Sequence, residues 1–176
     1  MEILEIQVIN EKDTENIRNC YTGLTKKLIE KNLTITTMES CTAGQIISLI
    51  TDTEGSSAVV NGAFVTYCNN AKILNGVPKE IIDEYGVYSP QTAEKMAESC
   101  RNFYNADISV GVTGTLGNID PNNNDSIVGE VYFAINFRGD TSIFKIIMQP
   151  QKNRLFAKLA IADKIQEKIN VLINQV

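Results

Sequence analysis

The chain has 176 residues, which is enough for one domain with a substantial core and too few for two ordinary domains. Its formal net charge of −5 argues against a nucleic-acid partner, because binding phosphates requires clustered Lys and Arg side chains. The chain contains no histidine, which excludes the commonest general base, every Ser-His or Cys-His pair and most zinc and iron sites.

The cysteines and the apolar runs bear on the compartment in which the protein works. The cysteines are far apart and form no C-x-x-C pair, so we expect reduced thiols rather than a zinc site or a disulfide framework. No apolar run approaches the ~18 residues that a membrane helix requires, and the N-terminal stretch carries acidic residues without a basic leader. We therefore predict a cytoplasmic protein with no membrane partner.

The first third of the chain predicts an arm, a helix, a strand and a second helix. Residues 1–13 form either an edge strand or a flexible arm, because polar and apolar side chains alternate only loosely there. The following helix is capped by Asp13 or Thr14 and carries apolar residues at spacings of three and four. A β-branched run at 34–38 predicts a strand, and the apolar face of residues 46–50 predicts the second helix.

The middle of the chain predicts a sheet-like segment at 58–67 that is interrupted by a bend or bulge at Asn61-Gly62. Two short helices follow, and then a long helix that is capped by Ser89 and begins at Pro90. A continuous apolar strand follows at 107–113, of the kind that is buried on both faces. It leads into a Gly- and Asn-rich loop, 114–126, whose length indicates a functional role or disorder.

The last third of the chain predicts a hairpin and a helix. Alternating residues at 131–137 and 142–148 form the hairpin, whose Arg-Gly-Asp turn needs no adhesive explanation. Residues 153–173 keep a helical period. This order of elements predicts an α/β sandwich with a mixed sheet, parallel inside and antiparallel at the hairpin.

Ser40 lies at the first of two junctions, after Met38 and after Thr113, where an open α/β sheet normally binds ligands. The unpartnered N–H groups and the dipole at the start of a helix favour an oxyanion or a phosphate there. The small residues Ala43 and Gly44 let a ligand come close. The pattern alone allows Ser40 to be either a helix cap or a nucleophile.

Lys72 and Tyr67 form a third candidate group. Without histidine, Lys72 is the most interesting partner for Ser40, provided that burial lowers its pKa of about 10.4 by roughly three units. The alternatives are a solvated helix lysine and a half-buried strand tyrosine. Cys41, next to a helix start, is a weaker candidate nucleophile.

Several dispersed motifs give the chain a resemblance to a known family. The runs MESCTAG, GAFVTYCNNAK, LNGVP, YGVYS, VGVTG and VGEVYFAI occur in the order and spacing of the CinA C-terminal-type family, the nicotinamide mononucleotide amidohydrolases. The similarity extends from about Ile17 to the end of the last helix. The resemblance implies one α/β/α sandwich domain over residues 1–176, no metal or other cofactor, and a homodimer or higher homo-oligomer.

The resemblance also implies roles for individual residues. On matching positions, Ser40 is the nucleophile of a Ser-Lys amidase, Lys72 is its general base, and Tyr67 shares the proton or orients the lysine. Substrate-binding positions follow from the matching turns and the last helix: Glu39, Cys41, Thr42, Ala43, Gly44, Thr113, Gly114 and Arg154. The resemblance leaves open which turn binds the phosphate and which turn binds the oxyanion.

The chain departs from the family pattern at the loop after Gly114. The family tends to have Gly-Ile-Ala-Gly-Pro there, whereas this chain has Leu116, which is bulkier than Ala, and Asn118, which cannot fix the backbone as Pro does. At the positions of two arginines in the family pattern, this chain has Arg154 and Lys158. A phosphate or interface role and a solvated polar face are equal alternatives for these two side chains.

These observations predict an enzyme that converts the small-molecule nucleotide nicotinamide mononucleotide to nicotinate mononucleotide and ammonia. The altered loop leaves two alternatives. One is a non-catalytic nucleotide-binding or interaction module of the same fold, and the other is an amidase for a different small amide.

Overall fold

One mixed sheet of six strands forms the middle layer of the computed structural model, which describes residues 1–175. The strands are β1 (Glu2–Ile6), β2 (Ile35–Glu39), β3 (Phe64–Val65), β4 (Ile108–Gly114), β5 (Glu130–Phe137) and β6 (Asp140–Met148). Their spatial order is β1-β6-β5-β4-β2-β3. β1 is parallel to β6, and β2 is parallel to both β3 and β4, whereas β5 is antiparallel to β4 and β6. The predicted mixed, partly parallel sheet is confirmed.

Helices cover both faces of the sheet. They are α1 (Glu11–Lys31), α2 (Gln45–Thr51), α3 (Asn69–Leu74), α4 (Lys79–Tyr85), α5 (Pro90–Tyr104) and α6 (Arg154–Ile173). α1, α2 and α6 pack together on one face, against apolar side chains such as Val110 and Val112 of β4. The alternate residues of β4 face the opposite side of the sheet, which α5 covers. There the Ser109 hydroxyl donates a hydrogen bond to the Ala97 carbonyl. The predicted α/β/α sandwich is therefore also confirmed.

The N-terminal stretch forms an edge strand, not a free arm. β1 pairs with β6 along its whole length, so main-chain hydrogen bonds hold it to the sheet. α1 begins earlier than the sequence suggested, because Asn10 caps it instead of Asp13 or Thr14. The Asn10 side chain accepts from the Asp13 amide while the Asp13 carboxylate accepts from the Asn10 amide, which is a capping box.

The segment at 58–67 contains less sheet than its Val and Phe content suggested. Only Phe64 and Val65 pair with β2, and the segment otherwise forms a 3₁₀ turn, Ser56–Ala58, and irregular chain. Gly62 explains part of this difference, since a Cβ there would lie 2.5 Å from the Tyr104 ring. The chain passes directly against the last residue of α5 at this point.

The hairpin turn is positioned by a salt bridge. Arg138 has a left-handed backbone (φ +52°) and its guanidinium lies 3.0 Å from the Asp107 carboxylate at the start of β4. A hairpin turn therefore explains the Arg-Gly-Asp tripeptide without an adhesive role. Within residues 1–175, no helix combines the length and the apolar character needed to cross a bilayer.

Gly111 lets α5 approach the centre of the sheet, and replacing it gives a test of the packing. A Cβ at Gly111 would lie 2.2 Å from the Ala93 carbonyl and 2.5 Å from the Ala97 amide nitrogen, and neither backbone group can move freely. We expect Gly111→Ala to lower the free energy of unfolding by about 3 kcal/mol, measured by urea denaturation.

Gly23 provides the matched control. It lies within α1 and a Cβ there would meet no atom within 4 Å. Gly23→Ala should raise stability by about 0.5 to 1 kcal/mol through helix propensity alone. Equal effects of the two substitutions would contradict the close approach of α5 to β4.

Candidate active site

Ser40 directly follows β2 and does not cap α2. The helix begins at Gln45, and Gly44 occupies the cap position with a left-handed backbone (φ +87°) and no side-chain cap bond. The Ser40 amide instead donates to the Val112 carbonyl of β4 at 3.0 Å, which fixes the residue at the end of the parallel strand pair. Ser40 is only 6% exposed, and its hydroxyl is free to interact with another side chain.

Glu39 performs the capping that the sequence assigned to Ser40. Its carboxylate is fully buried and accepts hydrogen bonds from the amides of Ile46 (3.2 Å) and Ile47 (3.0 Å) and from the Thr37 hydroxyl (3.0 Å). A negative charge at the positive end of a helix is favourable. These α2 amides are therefore already paired with a protein carboxylate, so they do not form the open anion site that the sequence suggested.

Lys72 is buried against Ser40. Its side chain extends from α3, the residue is 1% exposed, and Nζ lies 3.0 Å from Ser40 Oγ and 2.8 Å from the Thr66 carbonyl oxygen. Burial lowers the pKa of Lys72 from 10.5 to about 8, because the charged amine loses its hydration. The solvated-helix alternative for Lys72 is excluded. A neutral amine here can accept the Ser40 proton while donating to the carbonyl of Thr66.

Tyr67 contacts Arg154 and makes no hydrogen bond to Lys72. Its hydroxyl accepts from the Arg154 guanidinium at 3.1 Å, and the residue is 63% exposed, two positions beyond the end of β3. The alternative of a half-buried strand tyrosine is also wrong, since β3 ends at Val65 and Tyr67 is exposed. The carbonyl of Thr66 makes the contact by which we expected Tyr67 to orient the lysine.

Cys41 is a poor nucleophile in this setting. Its thiol is buried, and burial together with the negative charge of Glu39 raises the pKa of Cys41 to about 12. The thiolate that would react is therefore rare near neutral pH. The geometry favours the Ser40 hydroxyl over the neighbouring thiol.

An open cavity of about 560 Å³ lies in front of this pair. Of the eleven residues to which the resemblance gave a catalytic or substrate-binding role, six line it: Ser40, Cys41, Tyr67, Lys72, Gly114 and Arg154. Five others are not on its wall: Glu39, Thr42, Ala43, Gly44 and Thr113. Thr42 and Thr113 are fully buried, and the hydroxyl of Thr113 donates to the Val87 carbonyl. These five shape the turns beneath the cavity.

Arg154 is the cation that the last helix contributes to the cavity. It is the first residue of α6, where the helix dipole makes a positive side chain unfavourable unless an anion or another partner compensates. Lys158, one turn later, is half-buried and does not line the cavity. Of the two cations that the family pattern marked, Arg154 lines this cavity and Lys158 does not.

The loop at 114–126 forms a cavity wall that includes two residues, Asp120 and Asn123, not identified from the sequence. Asp120 and Asn123 line the cavity together with Tyr88, which precedes α5, and Asn69, which begins α3. The Tyr88 hydroxyl donates to Asp120 at 2.7 Å, and the Asn69 side chain donates to Asn123 at 2.8 Å. The only sequence signal was the length of the loop, because these partners are 32 and 54 residues apart.

Replacing Glu39 tests its structural role. Glu39→Gln keeps one acceptor oxygen but turns an amide NH₂ toward groups that already donate, so one buried donor loses its partner. We expect the free energy of unfolding to fall by about 2 kcal/mol in chemical denaturation. Glu54→Gln, at an exposed position after α2, is the matched control and should change stability by less than about 0.5 kcal/mol. Equal stability of the two variants would contradict the capping role.

The chain is similar over most of its length to proteins of one family. The family model for the CinA C-terminal domain matches residues 18–165. A protein of Acetivibrio thermocellus whose name refers to competence-damage induction is 40% identical over 131 residues, covering 74% of this chain and 32% of that protein. A CinA-like protein of Leptospira borgpetersenii is 37% identical over 130 residues, covering 72% of this chain and 30% of that protein. The chain spans about a third of the length of these curated relatives.

Solved structures agree with this assignment. The competence/damage inducible protein CihA from Agrobacterium tumefaciens superposes with a TM-score of 0.80 at 31% identity, covering 90% of this chain and 96% of that one. A CinA superfamily protein from Escherichia coli gives 0.77 at 26% identity, covering 92% and 95%. The resemblance read from the sequence motifs is confirmed, and the chain belongs to the CinA C-terminal domain family.

Proposed function

We propose that this protein hydrolyses the carboxamide of nicotinamide mononucleotide to give nicotinate mononucleotide and ammonia. The observation that carries the proposal is the 3.0 Å contact between the buried amine of Lys72 and the hydroxyl of Ser40 at the base of an open cavity. A buried lysine beside a serine is the arrangement that activates a hydroxyl in the absence of histidine. The substrate follows from the resemblance to nicotinamide mononucleotide amidohydrolases.

The proposed reaction has two halves. Neutral Lys72 takes the Ser40 proton as Oγ attacks the amide carbon, and the resulting ammonium then gives that proton to the departing nitrogen, which leaves as ammonia. The acyl group is now an ester on Ser40. Water attacks this ester while Lys72 again accepts a proton, and the proton returns to Oγ as the carboxylic acid product leaves and then ionises in the solvent.

The amide of the residue after the nucleophile is the best candidate for stabilising the oxyanion. The Ala43 amide donates to the Ser40 carbonyl, and the Thr115 amide donates to the Glu130 carbonyl, so both are already used. Cys41 lines the cavity, and in the described part of the chain its amide has no acceptor. We assign the oxyanion to this turn because preorganised amides lower the barrier without reorganising during the reaction.

Arg154 is the proposed phosphate ligand. It lines the same cavity as Lys72, carries a permanent charge and is steadied by its contact with Tyr67. A bound phosphate would also relieve the unfavourable position of this cation at the start of α6. Tyr67 is in this view a positioning residue for Arg154.

A non-catalytic binding module of the same fold is less well supported. Such a module gains nothing from burying a lysine against a serine, which costs free energy unless the amine is used. An amidase for another small amide stays as the second candidate, because the side chain of Leu116 lines the cavity where the family pattern has a smaller residue.

Ammonia release from nicotinamide mononucleotide tests the mechanism. Ser40→Ala and Lys72→Met should each lower kcat/KM at least about a thousandfold, because each removes one member of a unit that acts together. Ser48→Ala, on the exposed side of α2, and Lys79→Met, at an exposed position of α4, should keep full activity. Wild-type activity in either Ser40→Ala or Lys72→Met would contradict the proposal.

The pH dependence of the wild-type reaction provides a second readout. Only the neutral amine accepts the serine proton, so kcat/KM should rise with pH, with an apparent pKa of about 8, and then level off. A profile that stays flat between pH 6 and pH 10, or that falls through this range, would exclude Lys72 as the base.

A further inference from the structure

Asp120 is the centre of the loop that forms one wall of the cavity. Its Oδ2 accepts hydrogen bonds from the Tyr88 hydroxyl (2.7 Å) and the Asn123 side chain (2.6 Å), and its Oδ1 accepts from the Asn122 amide (2.9 Å). Asn123 in turn accepts from Asn69, the first residue of α3. The carboxylate therefore has a fixed position on the cavity wall, although it lies in a loop.

This carboxylate stays charged under all ordinary conditions. The hydrogen bonds from Tyr88, Asn122 and Asn123 lower the pKa of Asp120 to about 2, since each of them stabilises the ionised form. Asp120 is near enough to Lys72 for its negative charge to favour the protonated amine. When Lys72 is neutral, as catalysis requires, this amine no longer offsets the negative charge of Asp120.

Tyr88 adds an aromatic surface beside the fixed negative charge. Tyr88 is one of the residues that line the same cavity, and its hydroxyl donates a hydrogen bond to Asp120. A carboxylate next to an aromatic ring suits a flat cation, which the ring face attracts and the carboxylate neutralises. A phosphate would be repelled there and is better placed at Arg154 of the same cavity.

We propose that Asp120, held beside Tyr88, is a specificity-determining residue that makes the site prefer amides whose aromatic ring carries a positive charge. This inference deepens the proposed function and rests on it. A pyridinium nucleotide has a cationic ring at one end and an anionic phosphate at the other, which matches Asp120 and Arg154.

Binding measurements on the full chain with Ser40→Ala separate ring charge from the other contacts. One ligand is nicotinamide mononucleotide, and the other is its benzamide analogue, in which carbon replaces the ring nitrogen and the positive charge is lost. Adding Asp120→Asn keeps an acceptor for Tyr88 but removes the charge. It should weaken binding of the cationic nucleotide about fivefold and leave binding of the neutral analogue unchanged.

Asp125→Asn is the matched control. Asp125 belongs to the same loop and accepts from the Tyr88 amide at 2.6 Å, but it does not line the cavity. Its replacement removes the same formal charge and should leave the ratio of the two affinities unchanged. If either substitution acts only by disturbing the loop, it should weaken the binding of both ligands equally.

The outcomes separate this inference from the proposed function. Equal effects of Asp120→Asn on the two nucleotides, no effect on the cationic one, or failure of both to bind would overturn the role of Asp120. Absence of ammonia release by the wild-type protein would instead overturn the proposed hydrolysis. Ammonia release with an unchanged affinity ratio would leave the hydrolysis standing and remove only the charge preference.

Discussion

The amine of Lys72 is held out of water beside the hydroxyl of Ser40, and several features of the structure depend on that burial. Lowering the pKa from 10.5 to about 8 corresponds to about 3 kcal/mol of lost stability while the amine is charged. The folded state binds protons less readily than the unfolded chain, so this cost is complete below pH 8. It disappears as the pH rises toward 10.5. The buried strands and the two covering layers of helices supply the stability that offsets it.

Different neighbouring residues position Ser40 and Lys72 for their contact. Glu39 binds the first amides of α2, which frees Ser40 from capping and leaves its hydroxyl for Lys72. The amide of Ser40 is anchored to β4, and the carbonyl of Thr66 orients the amine. The serine and the lysine are thus both fixed by main-chain groups at one end of the sheet, close to where an open α/β sheet usually binds ligands.

Much of the fold could be predicted because its signals are local. β4 was evident from a continuous apolar run, α6 from its helical period, and the hairpin from alternation. The segment at 58–67 was over-assigned, since its apolar content could not reveal that Gly62 passes against Tyr104. The cap of α1 was misplaced by three or four residues because Asn10, Asp13 and Thr14 are all of types that cap helices well.

The candidate site was less predictable, because its contacts join residues that are far apart in the chain. The absence of histidine made Lys72 the most interesting partner for Ser40, and the family motifs then implied that the two act together across 32 residues. The pattern also could not show that Glu39 reaches α2 or that Asp120 reaches Tyr88. Both depend on how a strand end and a loop are placed in three dimensions, which no local periodicity encodes.

A direct titration of the Lys72 side chain by NMR, in protein labelled at the lysine ε-carbon, measures the proton affinity on which the proposed chemistry depends. Lys72→Met identifies the resonance by its absence. The structure predicts a titration with a pKa of about 8, well separated from that of the exposed lysines. A Lys72 resonance that titrates near 10.5, together with the exposed lysines, would show a solvated ammonium and would contradict its role as the base.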